Sequence, residues 1–247
     1  MIKLAIHKFF RAFGLDIVRY PPQEYLTDFL SDETDIIREV RPLTMTTAER
    51  IYALIQAVRY VSSSGITGAI VECGVWRGGS MAAAARTLLQ MQDVERELYL
   101  FDTFEGMSKP TSKDIDYTGK TAFEVLLEDP GFAHANEAPL EGVKRVLSET
   151  SYPKDKIHFV QGKVEETLPA SAPDSISLLR LDTDWYESTK HELVHLFPRL
   201  SHGGVLIIDD YGHWKGSRLA CDEYFAQENI HILLNRIDYS GRVGLKL

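Results

Sequence analysis

The sequence predicts an α/β protein, in which helices cover both faces of a doubly wound, mostly parallel sheet. Short apolar runs alternate along the chain with longer segments whose apolar residues recur at helical spacing. Two of the apolar runs, at residues 179–184 and 203–210, end on carboxylates. A chain of 247 residues with 44% hydrophobic content can bury one full core, so we expect residues 1–247 to form a single domain.

The first part of the chain predicts an N-terminal helical extension, residues 1–64, followed by the start of the sheet. Residues 47–63 repeat apolar positions at helical spacing, and Thr46 or Thr47 is a suitable N-cap for that helix. The elements predicted next are a strand at 69–74, a helix at 79–92 and a strand at 98–101.

The alternation breaks at residues 103–139, which contain many Pro, Gly, Asp and Thr residues. Because this stretch is too long for an ordinary connection, we interpret it as a lid over a ligand crevice. Regular spacing resumes after it. The later elements are a helix at 140–148, a strand at 157–161, a strand ending at Asp182, a helix at 186–200, a strand ending at Asp209, a helix at 217–227 and a final pair at 231–237 and 242–247.

The composition excludes several classes of protein. A formal net charge of −9 argues against nucleic acid as the main partner, since phosphate binding needs clustered Lys and Arg. The two cysteines, Cys73 and Cys221, give no disulfide framework, which predicts a location in the reducing cytoplasm. No apolar stretch approaches the roughly 18 residues that span a bilayer.

The N-terminus has the pattern of a basic amphipathic helix. Its apolar positions are Ile2, Ile6, Phe9, Phe10 and Phe13, and its basic positions are Lys3, His7, Lys8 and Arg11. This pattern is typical of a helix that lies at a membrane surface, here the inner face of the membrane. It is equally typical of a helix that packs on the domain or on a second subunit, and both interpretations stay open.

Three acids end the two apolar runs, namely Asp182, Asp209 and Asp210. Ligands bind at the carboxyl ends of parallel strands, so the three carboxylates should face one crevice if the two strands are neighbours. Three carboxylates in a partly dry site repel one another unless a cation lies among them, and such oxygen ligands suit Mg²⁺, Mn²⁺ or Ca²⁺. The alternative is that one or two of them merely cap the following helices.

The first strand leads into a glycine turn, and the residues of this turn point to a ligand. A dinucleotide fingerprint requires glycine where this chain has Trp76, which argues against nicotinamide and flavin cofactors. Glu72 suits a cationic ammonium, and the helix start near Ser80 suits a carboxylate. Asp102, at the end of the second strand, is placed to hold two ribose hydroxyls. A ligand with an ammonium group, a carboxylate and a ribose is S-adenosylmethionine. The alternative is that the glycines form a plain tight turn that binds no ligand.

Several motifs in order resemble those of the macrocin-type, magnesium-dependent sugar O-methyltransferases, which act on deoxysugars of macrolide and aminocoumarin antibiotics. The matching segments are residues 44–46 with 49–50, 72–75 with 77–80, 101–107, 167–169, 179–182, 186–189 and 209–212. The resemblance covers most of the chain. It implies a Rossmann-like, class I S-adenosylmethionine-dependent methyltransferase with N-terminal helices, a mobile lid and a homodimeric assembly.

The resemblance also implies roles for individual residues. The methyl donor would be bound by Glu72, Gly74, Ser80 and Asp102, with Gln161 and Gly162 near the adenine. The Mg²⁺ ligands would be Asp182, Asp209 and Asp210. Asp182 would also be the catalytic base. This chain departs from many relatives in having Thr183, where they have Gly, followed by Asp184 and Trp185.

The expected reaction is metal-assisted methylation of a hydroxyl on a sugar, glycan or other glycosylated acceptor. The donor is already activated, so the enzyme must chiefly position an oxygen and remove its proton. Asp182 is the first candidate for the base, and Asp184 and His213 are alternatives. Two other classes remain as alternatives: a metal-dependent hydrolase or phosphoryl-transfer enzyme that uses the same acids, and a non-catalytic binding protein.

Overall fold

The computed structural model describes residues 6, 9–10, 12–14, 27–128 and 138–247. The chain divides into two compact units, Met1–Leu30 and Ser31–Leu247. The later helices of the predicted N-terminal extension therefore belong to the larger unit. No helix among the described residues is long and apolar enough to cross a membrane.

The larger unit alternates strands and helices as the sequence predicts. Its helices are α1 (Ser31–Val40), α2 (Ala48–Ser63), α3 (Gly79–Gln90), α4 (Ala122–Glu128), α5 (Leu140–Glu149), α6 (Val164–Thr167), α7 (Tyr186–Leu196) and α8 (Lys215–Gln227). Its strands are β1 (Ala69–Cys73), β2 (Leu98–Asp102), β3 (Ile157–Gln161), β4 (Ile176–Leu181), β5 (Leu200–Ile208), β6 (Asn235–Arg236) and β7 (Arg242–Leu245).

The seven strands form one sheet in the order β3-β2-β1-β4-β5-β7-β6. The first five are parallel, and β7 is antiparallel to both of its neighbours. The order reverses direction between β1 and β4, which is the kind of point where doubly wound sheets bind ligands. The prediction of a doubly wound α/β fold is confirmed.

Two apolar clusters cover the two faces of the sheet. Successive strand residues point to opposite faces, so Leu178 packs with α2, α3 and α5, whereas Leu179 packs with α7 and α8. All six residues of β4 are buried. Burial on both faces explains why the central strands read as continuous apolar runs.

The predicted element boundaries differ from the observed ones mainly after α7. The helix predicted at 186–200 ends at Leu196 and continues as a 3-10 turn, Phe197–Arg199. Pro198 lies in this turn and has no backbone N–H to continue the helical bonding. The last predicted pair is shorter than expected, because only Asn235–Arg236 and Arg242–Leu245 are strands.

Residues 103–128 of the predicted lid are bonded to the starts of α7 and α8. The indole Nε1 of Trp185 donates to the Ser108 carbonyl at 2.9 Å, and the Tyr186 amide donates to Asp114 Oδ1 at 2.8 Å. The Lys215 amide donates to a lid carbonyl at 2.8 Å. These bonds place the segment beside the carboxyl ends of the strands, whereas residues 129–137 lie outside the described part.

The N-terminal unit is described only at a few positions. Phe13 N donates to Phe10 O at 3.0 Å, and the rings of Phe9 and Phe13 lie 5.2 Å apart. The remaining members of the predicted amphipathic helix lie outside the described residues; they are Ile2, Lys3, His7, Lys8 and Arg11.

Candidate active site

A cavity of about 270 Å³ opens at the carboxyl ends of β1, β2, β4 and β5. Its wall combines the glycine turn after β1 with the acids after β4 and β5. Of the residues predicted for the site, those that line it are Gly74, Ser80, Asp102, Gly162, Asp182, Asp209 and Asp210. The sheet order thus brings the two groups of predicted residues together in one crevice.

The three acids converge as predicted. Each of Asp182, Asp209 and Asp210 offers a carboxylate oxygen, and these oxygens lie within 4.8 Å of one another. The side chains of Asp209 and Asp210 are buried, whereas that of Asp182 is 29% exposed. Because β4 and β5 are neighbours that both end at this edge, the convergence follows from the topology.

Arg180 lies buried beneath the acids and binds two of them together with Glu72. Its Nη1 binds Glu72 Oε1 at 2.6 Å and Asp182 Oδ2 at 2.7 Å, and its Nη2 binds Asp209 Oδ1 at 2.5 Å. A guanidinium offers several donors in a fixed plane, so one side chain can hold carboxylates from three strands. Arg180 therefore fixes two of the candidate metal ligands from below.

Arg50, from α2, binds the same cluster from the side. Its Nη1 binds Asp209 Oδ2, and its Nε pairs with Asp238 Oδ2 at 2.9 Å. Thr47, the N-cap of α2, accepts from the Arg50 amide at 3.2 Å and donates to Asp238 at 2.8 Å. Arg50 could not be assigned this role from the sequence, because its partners are 159 and more residues away along the chain.

The acids remain in excess over these two arginines. Burial raises the pKa of Asp182 well above its usual value, and Asp209 and Asp210 raise it further against the opposing effect of Arg180. Burial and the neighbouring Asp184 likewise raise the pKa of Asp210. For Asp184, burial and Asp182 raise the pKa to about 8. The cluster therefore needs either bound protons or a bound cation to offset its charge.

The glycine turn is in direct contact with the acidic segment after β4. Gly74 has φ +83°, and a Cβ there would lie 2.0 Å from the backbone oxygen of Asp182. Only glycine fits this close approach. Asp102 fixes the same turn, since its Oδ2 accepts from the amides of Val75 at 2.6 Å and Trp76 at 3.0 Å.

Two residues predicted to bind the methyl donor do not line the cavity. Glu72 is fully buried, and its Oε1 accepts from Arg180. Burial raises the pKa of Glu72 to about 7 in spite of Arg180. Gln161 is exposed, with its Nε2 at 3.5 Å from the Thr103 carbonyl, whereas its neighbour Gly162 does line the cavity. Glu72 was predicted to bind the ammonium group of the donor because of its charge. In the structure its buried carboxylate is paired with Arg180 instead.

The two alternative bases also lie at the cavity. Asp184 Oδ1 accepts from Trp214 Nε1 at 2.8 Å, and the Asp184 amide donates to Asp210 Oδ2 at 3.2 Å. His213 Nδ1 lies 3.0 Å from the Tyr239 hydroxyl, and burial lowers the pKa of His213. Asp184 is thus engaged by an indole donor.

Several residues that line the cavity were not among the predicted site residues. Thr44, Met45 and Thr46 line it, and their motif gave the signal that could have found them. Tyr239 also lines the cavity, but it lies in the irregular segment between β6 and β7, where no motif marks it.

Comparison with known proteins gives consistent results. A sequence profile described as macrocin-O-methyltransferase (TylF) matches residues 33–243. An 8-demethyl-8-(2,3-dimethoxy-alpha-L-rhamnosyl)-tetracenomycin-C 4'-O-methyltransferase from Streptomyces olivaceus is 34% identical over 200 residues, 80% of this chain and 73% of that protein. Mycinamicin III 3''-O-methyltransferase from Micromonospora griseorubida is 33% identical over 199 residues, 80% of this chain and 76% of that protein.

Solved structures agree with these matches. The O-methyltransferase NovP superposes with a TM-score of 0.73 at 30% identity, covering 83% of this chain and 82% of that one. The calicheamicin methyltransferase CalS11, at 18% identity, shares the fold with a TM-score of 0.63 over 92% of this chain and 98% of that one. These matches give the hydrolase alternative no support. The chain therefore belongs to the macrocin-O-methyltransferase (TylF) family and is an S-adenosylmethionine-dependent O-methyltransferase.

Proposed function

We propose that this enzyme methylates a hydroxyl group of a sugar or glycosylated small molecule, with Mg²⁺ held by Asp182, Asp209 and Asp210. The observation that carries the proposal is the convergence of these three acids in the cavity that also contains the glycine turn. The name of the tetracenomycin-C relative supports the acceptor class, since it describes O-methylation of a compound that carries a rhamnosyl group.

The donor would lie along the glycine turn. The N-cap of α3, Gly78, supplies no side-chain hydrogen bond, so the amides of Gly79 and Ser80 are suited to an anionic group such as the donor's carboxylate, and the helix dipole favours this. Asp102, which already orients the turn, would accept from the two ribose hydroxyls. Gly162, with Gln161 beside it, would border the adenine. We assign Glu72 to the support of Arg180.

The donor set of the acid cluster fits a hard divalent cation. All three candidate ligands are carboxylates, and burial together with the neighbouring acids raises the pKa of Asp182 and of Asp210 in spite of the nearby arginines. When bound, the cation would lower the pKa of an acceptor hydroxyl and orient that hydroxyl. The chain's own contribution is to hold Asp182 and Asp209 in place through Arg180 and Arg50, and Asp210 through the Asp184 amide.

Asp182 is the residue we propose as the base. It is partly exposed, whereas Asp209 is held by two arginines and Asp210 is buried against the Asp184 amide. Its carboxylate can therefore reach an acceptor hydroxyl and take its proton as the methyl group is transferred. Asp184 and His213 remain the alternatives, and both are separable from Asp182 by mutation.

We further propose that the enzyme acts in the cytoplasm as a homodimer. The free, buried thiols of Cys73 and Cys221 support a reducing compartment. The N-terminal unit, with contacting aromatic rings at Phe9, Phe10 and Phe13, is the segment we propose for peripheral contact with the inner face of the membrane.

Removal of divalent cations is expected to stop turnover and to leave donor binding largely intact. Purified protein is incubated with S-adenosylmethionine carrying a labelled methyl group and a panel of pyranosides, with Mg²⁺ or with excess EDTA. We expect label transfer only with Mg²⁺, and recovery when Mg²⁺ is restored, because the carboxylates alone do not acidify a sugar hydroxyl. Full activity in EDTA would remove the cation from the proposal, and the absence of calorimetric S-adenosylmethionine binding would remove the donor site.

A further inference from the structure

Three aromatic side chains form a patch at the rim of the cavity, beside the acids. Tyr117, His213 and Tyr239 lie with ring centroids 5.3 to 5.9 Å apart. His213 and Tyr239 line the cavity, and Tyr117 extends the patch outward from them. Tyr117 is 62% exposed and Tyr239 is 48% exposed. An exposed aromatic patch that continues into a polar cavity is typical of a ligand site.

The backbone around Tyr117 is tightly organised, although the side chain is exposed. Asp116 is buried, and its Oδ1 accepts from the Thr118 amide at 2.8 Å, the Thr118 hydroxyl at 2.7 Å and the Lys120 amide at 2.9 Å. The Asp116 amide also donates to the Lys120 carbonyl at 2.8 Å, which closes the turn. These bonds fix the backbone that carries the exposed Tyr117 side chain.

The same turn is attached to the segment that carries His213. Asp116 forms a β-bridge with Trp214, and the Lys215 amide donates to the Ile115 carbonyl at 2.8 Å. Trp214 in turn donates to Asp184, which lies among the acids. The position of Tyr117 is therefore coupled by direct bonds to the acidic end of the cavity.

We propose that Tyr117, His213 and Tyr239 form the binding surface for the apolar C–H face of the acceptor's pyranose ring. This inference rests on the proposed sugar methylation. A pyranose presents C–H groups on one face and hydroxyls at its edge, so a ring packed on the aromatic patch can direct its hydroxyls into the adjoining cavity. The three residues would set acceptor affinity and orientation, whereas the acids carry out the proton transfer.

The test measures binding of methyl α-L-rhamnopyranoside, chosen because one relative's name contains a rhamnosyl acceptor. Saturation-transfer NMR and titration are performed on the full chain with Mg²⁺ and S-adenosylhomocysteine. We expect Tyr117→Ala to weaken glycoside binding about tenfold, which corresponds to about 1.4 kcal/mol for the loss of one aromatic contact. Tyr117→Phe should stay within about twofold of wild type, because the ring remains.

A matched control is Tyr60→Ala, which removes another exposed tyrosine, on α2 and outside the cavity lining. All variants should bind S-adenosylmethionine with unchanged affinity, which shows that they are folded. The inference would be overturned if the glycoside did not bind to the wild-type protein, or if it bound to Tyr117→Ala as tightly as to wild type. Failure of the proposed function would give a different result: the wild-type protein would not bind S-adenosylmethionine, or its turnover would be unaffected by EDTA.

Discussion

Replacement of Asp182 by Asn is expected to lower turnover by about 10²–10⁴-fold, the usual range for loss of a positioned base. The amide cannot accept the proton, and it is a poorer ligand than a carboxylate for a hard cation. Binding of S-adenosylmethionine should stay close to that of wild type, because the glycine turn contacts the backbone oxygen of Asp182 and not its carboxylate. Steady-state kinetics with labelled donor and calorimetry measure the two properties.

Two controls make the Asp182 result specific. Asp184→Asn keeps an oxygen that can accept from Trp214, so it should retain most activity if Asp182 is the base. Asp155→Asn removes an exposed carboxyl just before β3, at the edge of the parallel strands opposite the acids, and should behave as wild type. Near-normal turnover by Asp182→Asn would reject Asp182 as base and ligand, and a larger loss in Asp184→Asn would move the base to that residue.

Replacement of Arg180 by Met is expected to destabilise the fold strongly. It removes the shared partner of Glu72, Asp182 and Asp209, and breaking a buried ion pair on one side typically costs about 3–5 kcal/mol. For a domain of this size, about 2–4 °C of Tm corresponds to each kcal/mol, so Tm should fall by roughly 6–20 °C. Calorimetric melting of both proteins measures the difference.

The pH dependence of the Arg180→Met difference has a definite sign. Glu72 has a folded-state pKa of about 7, above its ordinary 4.5, so the folded state binds its proton more tightly than the unfolded chain does. Its contribution to stability is complete below pH 4.5 and is lost as the pH rises through 7. Without Arg180, ionised Glu72 has lost its buried partner and destabilises the fold, whereas protonated Glu72 does so much less. The Tm difference between wild type and Arg180→Met should therefore be smaller at pH 5 than at pH 8.

An exposed ion pair provides the control for Arg180. Arg38 pairs with Asp35 at 3.2 Å, with 73% and 66% of the two side chains exposed, and such pairs contribute about 0–1 kcal/mol. Arg38→Met should therefore leave Tm almost unchanged. A Tm for Arg180→Met that equals that of Arg38→Met would show that the buried network does not stabilise the fold.

The sequence was sufficient to predict the convergence of the acids. Asp182 and Asp209 each follow a buried parallel strand, and strands of that kind end at a shared edge. Gly74 was also predictable, since a glycine after β1 implies a close backbone approach, although its contact with Asp182 was not. The position of the site can therefore be predicted from the pattern of strands and helices, because the site residues lie at the ends of these elements.

The arginine network could not be predicted in the same way. Arg50 binds Asp209 across 159 residues, and no periodicity links the two positions. Glu72 has the right charge for an ammonium ligand, but its side chain binds the buried Arg180. This contact depends on the pairing of β1 with β4, which places the two residues opposite each other. Pairing of charged groups inside a fold depends on three-dimensional neighbours that sequence spacing does not specify.

Binding of Mn²⁺, used as a spectroscopic substitute for Mg²⁺, tests the central claim most directly. Electron paramagnetic resonance titration of the full chain should show one bound Mn²⁺ per chain in wild type, displaced by excess Mg²⁺. The bound ion should be lost or much weakened in Asp182→Asn and Asp209→Asn, and retained in Asp155→Asn. Wild-type protein that binds no Mn²⁺, or binds it equally well in all these variants, would contradict a cation site at the three acids.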